Sequence, residues 1–110
     1  MFNILKKNKM DMKAAKAFWI WFEEREEWLI EQNSISGNYK HIWEIDKYLT
    51  PILPYVKREL EFMMGFDVQV GKWELVLFDF GDKNINKDYE TLKSMMPKKY
   101  EEKWMITIEE

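Results

Sequence analysis

Lys72-Trp-Glu-Leu-Val-Leu-Phe-Asp-Phe80 is the stretch that decides the fold. Side chains alternate between the two faces of a strand, so Trp73, Leu75 and Leu77 share one face while Val76, Phe78 and Phe80 share the other. A strand apolar on both faces belongs in the middle of a sheet or under cover on both sides. Just upstream, Arg58-Glu-Leu-Glu-Phe-Met-Met64 alternates Leu60, Phe62 and Met64 with Glu59, Glu61 and Met63, the pattern of a half-buried strand. Residues 65–71, opened and closed by glycine, join the two.

Downstream, residues 81–86 lead into a helix expected over about 87–96, with Leu92, Met95 and Met96 inward and Pro97 as its stop. Trp104, Ile106 and Ile108 then alternate with Met105, Thr107 and Glu109 in a last strand. A hairpin followed by a helical crossover makes that strand parallel to the second, in the order 1-2-3.

Two helices precede this unit. Over 11–32, Ala14, Ala17/Phe18, Trp21, Phe22, Trp28 and Leu29 recur at three- and four-residue steps, and Asp11 is positioned to cap. Over 39–49, Ile42, Ile45 and Leu49 mark a buried face with Trp43 beside it, and Pro51 and Pro54 break the chain. The expectation is a single α+β domain over 11–110, a two-layer α/β sandwich in the order α-α-β-β-α-β. It carries a three-stranded mixed sheet with helices on one face, preceded by an N-terminal arm, 1–10.

Phe18-Trp-Ile-Trp-Phe22, the segment from Ile45 to Pro54, Leu60-Glu-Phe62, Phe80-Gly-Asp82, Leu92 through Pro97, and Trp104-Met-Ile-Thr-Ile108 together carry a likeness. On these residues the chain resembles a set of small bacterial cytosolic proteins of unknown function, with a Trp-x-Trp-Phe helix and a C-terminal ββαβ unit. The resemblance implies a shared fold; it rests on core and turn positions and transfers no site residue.

The composition narrows the chemistry. With 110 residues, 46% hydrophobic and 34% charged, the chain suits one folded core. Six Trp, seven Phe and five Tyr allow a short chain to bury enough area. Cysteine is absent, which excludes disulfides, thiolate metal sites and thiol nucleophiles, and suits a reducing, cytoplasmic setting. No apolar run approaches the roughly 20 residues that span a bilayer, and the lysine-bearing start lacks the apolar segment of a secretory signal. A net charge of −3 is far from the basic face of a nucleic-acid binder, so neither membrane nor nucleic acid is expected as partner.

Several motifs fall to simpler readings. Asp79-Phe80-Gly81 spells a kinase metal-binding triplet, but the glycine-rich loop and catalytic loop of a kinase are missing. Asp82 to Asp88 follows the early spacing of a calcium loop, yet Lys87 holds the glycine place and Lys93 that of the bidentate Glu. Helix capping is the better account of those residues. His41, the single histidine, has only Ser34, Ser36 and Ser94 as serine candidates and is expected on the surface. No catalytic residue, cofactor or metal ligand is assigned.

One pattern remains. Lys13 and Lys16 open the first helix while Glu23, Glu24 and Glu27 crowd its second half, the reverse of what the helix dipole favours. Glu23/Glu27 and Glu27/Glu31 are like-charge pairs costing about 0.2–0.5 kcal/mol each. Arg25 is placed to lie against Trp21 or Trp28. These residues, Lys13, Lys16, Trp21, Glu23, Glu24, Arg25, Glu27 and Trp28, form the expected partner surface. The partner is a second copy crossing antiparallel, or another bacterial protein. The expected function is a non-enzymatic interaction domain. The alternatives are an immunity-like protein that neutralises a toxin, and a small enzyme with acids around Glu74, Asp79 and Asp82.

Overall fold

In the computed structural model, which describes residues 9–110, Asp11 begins the first helix as expected. Its carboxylate accepts from the Ala14 amide at 3.0 Å, meeting one of the N–H groups that a helix start leaves unpaired. Helix α1, Met12–Asn33, buries Ala15, Phe18, Trp19, Phe22 and Leu29, a stripe at three- and four-residue steps. Ala17, expected inward, is exposed, and Trp19 takes a place in the stripe instead. Phe18, Trp19 and Phe22 meet edge-on or stacked, with ring centroids 5.1–6.4 Å apart. Helix α2, Lys40–Leu49, packs against α1 and runs into a 3-10 turn, Thr50–Ile52, at Pro51. The Asp11 amide donates to the Ile52 carbonyl at 2.8 Å, joining the start of α1 to this turn.

The buried face of α2 differs from expectation. His41, Ile45 and Leu49, spaced by four, point inward; Ile42 is half-buried and Trp43 is 72% exposed. At about 100° per residue, the row beginning at His41 excludes Trp43 from the same face.

Strand β1, Phe62–Asp67, starts later and ends later than the alternation suggested. Gly65 does not end the strand, because it pairs with Glu74 in the ladder. The turn comes after Asp67, whose side chain accepts from the Gln69 and Val70 amides at 2.9 and 3.0 Å. Gly71 closes it at φ 79°, a conformation that glycine takes without a Cβ clash.

Strand β2, Lys72–Phe78, pairs antiparallel with β1 and parallel with β3, Trp104–Glu109, so the order is β1-β2-β3 with the doubly apolar strand in the middle. Helix α3, Lys83–Ser94, supplies the crossover and packs against β3. It begins four residues before the expected start because Asp82 caps it, accepting from the Asn84 and Ile85 amides at 2.8 and 3.1 Å. Its inward residues are therefore Ile85, Tyr89 and Leu92, while Met95 and Met96 are only half-buried.

The fold is α+β in the order α-α-β-β-α-β with a three-stranded mixed sheet, as the sequence predicts. Cross-strand partners Leu75↔Ile106 and Trp73↔Trp104 form the more deeply buried sheet face. The opposite face holds exposed Met63 and half-buried Glu74 and Thr107. By internal packing the chain divides into two compact units, Met1–Glu59 and Leu60–Glu110. Residues 1–8 of the expected N-terminal arm lie outside the described residues.

Candidate functional site

The outward side of α1 follows from its inward side. Once Ala15, Phe18, Trp19, Phe22 and Leu29 are buried, the helical period leaves Lys13, Lys16, Ala17, Ile20, Glu23, Glu24 and Glu27 facing solvent. The first turn carries no acid and the last turn no base, so the reversed charge order persists in the folded helix. Ile20 is 63% exposed between the lysines and the glutamates.

The other members of the expected surface lie elsewhere. Trp21 is buried and stacks on Tyr48, with centroids 4.7 Å apart and planes 12° apart. Arg25 and Trp28 are half-buried, and the guanidinium lies 4.3 Å from the centre of the Trp28 ring, one of the two placements expected. Ile20 escaped the sequence reading because it sits inside Phe18-Trp-Ile-Trp-Phe22, where every neighbour is apolar. Its position on the helical wheel, shared with Lys13, Lys16 and Glu24, was the available signal.

The acidic residues considered for enzyme chemistry are employed in holding a loop, a helix start and the sheet. Asp79, just past β2, is buried; its carboxylate accepts from the Gly81 amide and from the Asn86 side-chain amide, both at 2.8 Å. Phe80, between them, has φ 58° and Gly81 φ 74°, so the chain turns through two consecutive left-handed residues. Asp82 caps α3, and Glu74 accepts the Thr107 hydroxyl on the sheet. A cleft of about 220 Å³ is lined by Asp79, Gly81, Asp82, Lys83, Asn86 and Glu110 and does not include Glu74. The Tyr89 hydroxyl is buried and has no hydrogen-bond partner among the described residues. Burial, and secondarily the Asp79 charge, push its pKa above the usual phenol range.

His41, expected on the surface, is 3% exposed. Its Nε2 lies 2.9 Å from Asn33 Oδ1, and since a carboxamide oxygen only accepts, Nε2 carries the proton and donates. Nδ1 is then the bare nitrogen, buried with no partner among the described residues. Protonating it would bury a charged donor without an acceptor, and burial holds the His41 pKa below 6.5.

The consequence for stability has a definite sign. Below about pH 6.5 the unfolded chain binds a proton that the folded chain resists, so stability falls as pH drops from there toward the lowered folded pKa. Urea midpoints measured from pH 7.5 to about 5 are expected to decline, and His41→Gln to flatten that slope. An unchanged slope in the variant would assign the decline to other groups.

Among the described residues, no helix is long and apolar enough to cross a membrane. No family model matches the chain, and neither a curated protein nor a solved structure matches it.

Proposed function

We propose that this chain is a non-enzymatic protein-interaction domain that binds through the outward face of α1. The observation that carries this reading is the arrangement on that face, an exposed isoleucine between a basic patch and an acidic one. An exposed aliphatic side chain rimmed by charge is the makeup of a small docking surface: the apolar centre gives affinity and the charges give register. The reversed charge order costs helix stability, a cost that binding to a complementary surface would offset. Asp79 and Asp82, two of the carboxylates weighed for an enzyme, meanwhile accept from the amides of the Asp79–Asn86 loop and the start of α3.

Ile20→Asp tests the assignment. The site is exposed enough that the fold should change by no more than about 0.5 kcal/mol. Wild-type chain immobilised on a support is expected to retain, from extracts of the source cells, protein that the variant releases. Retention identical for both chains would overturn the reading.

A further inference from the structure

Resting on α1's outward face as the binding surface, we propose that its partner is a second copy of this chain, laid antiparallel across a twofold axis at Ile20. The side chains that decide this share one face: Lys13, Lys16, Glu24 and Glu27 all project within about 40° of Ile20 at the helical period. All are exposed. With a rise of about 1.5 Å per residue, Lys13 and Glu27 stand about 10 Å on either side of Ile20, and Lys16 and Glu24 about 6 Å.

Turning the helix end for end about Ile20 therefore exchanges Lys13 with Glu27 and Lys16 with Glu24. A second copy in that orientation meets every lysine with a glutamate and sets Ile20 against Ile20. A parallel copy would set lysine against lysine and glutamate against glutamate. Charge thus selects the antiparallel pair, and a twofold contact of this kind closes at two chains rather than growing into a filament.

Ala17, also exposed, adds no bulk beside the axis, so the helices can approach closely. The 22 residues of α1 span about 33 Å, which makes the shared surface small. The pair is accordingly weak, with Kd between about 1 µM and about 1 mM, and sensitive to salt because its charges are solvated.

Sedimentation equilibrium of the full chain is the test. At low ionic strength the mass is expected to rise from 13.6 kDa toward twice that value between about 10 µM and about 1 mM. At about 0.5 M salt it should return to the monomer. Lys13→Glu/Lys16→Glu makes all four of these positions acidic and Glu24→Lys/Glu27→Lys makes all four basic, so each variant alone should be monomeric. An equimolar mixture should restore a dimer, because an acidic face then meets a basic one at all four positions. Circular dichroism of each variant establishes that the helix persists. A wild-type monomer at about 1 mM, a variant that dimerises alone like the wild type, or a mixture that stays monomeric overturns the pair. Retention of a different protein that Ile20→Asp abolishes would leave the binding face standing while removing the second copy as its partner.

Discussion

Trp104→Ala is expected to remove about 3–5 kcal/mol of folding stability, close to the whole reserve of many small domains. Trp104 is 1% exposed at the start of β3, beside Trp73 across the parallel ladder, with ring centroids 6.1 Å apart. Truncation deletes the largest fully buried side chain of the Leu60–Glu110 unit and leaves a cavity that neighbouring strands, fixed by their hydrogen bonds, cannot close. Trp43→Ala is the comparison, since Trp43 is 72% exposed and its loss should change stability by about 0.5 kcal/mol or less. Urea unfolding of both variants decides the matter. Equal costs at the two sites would mean that aromatic burial is not what holds this sheet.

Asp79→Ala should cost about 3 kcal/mol through a different mechanism. The Asp79 carboxylate is the acceptor for two donors, the Gly81 amide and the Asn86 side chain, across a turn in which Phe80 holds φ 58°. Backbone bonds from Asp79 N to the Glu109 carbonyl (2.7 Å) and from Asp82 N to the Asp79 carbonyl (2.9 Å) fasten the same turn to the end of β3 and the start of α3. Alanine preserves those backbone bonds but leaves both donors short of an acceptor beside a non-glycine residue in a left-handed conformation.

Asp79→Asn is expected to be intermediate, because its carboxamide oxygen can still serve Gly81 while its amide can meet Asn86 only if that carboxamide turns over, giving a neutral bond in place of a charge-assisted one. Adding Asn86→Asp should recover stability by reversing the donor and acceptor, with the new carboxylate also favoured in the first turns of α3. Costs of the two substitutions that simply add would show that the pair does not act as a unit.

The strand residues were readable because alternation is local. Leu75, Val76 and Leu77 in sequence dictate a strand buried on both sides, and such a strand lands in the middle of the sheet. Asp11 was readable as a cap because the residue type and the helix start lie within three positions of each other. The errors lie where two local signals compete. Gly65 reads as a turn glycine, but the turn formed where Asp67 and Gly71 offered the better hydrogen bonds. Lys83, Asn84 and Asn86 read as loop, but the Asp82 cap and the burial of Ile85 outweighed their polarity and drew 83–86 into α3.

For the candidate site, the charges of α1 were legible, while the selection among its hydrophobic residues was not legible from residue type. Phe18, Trp19, Ile20, Trp21 and Phe22 are all apolar, so residue type does not separate the one left outside; only the helical-wheel position that Ile20 shares with Lys13, Lys16 and Glu24 does. Residue type does not place His41 either, whose burial depends on Asn33 being placed to accept its proton.

By itself the sequence determined the element order, the central strand, the Asp11 cap and the charge order along α1, since each depends on residues a few positions apart. Tertiary structure alone decided that His41 and Asp79 are buried and that Asp79 braces a strained turn. Burial is a property of what surrounds a side chain, and those surroundings come from distant parts of the chain.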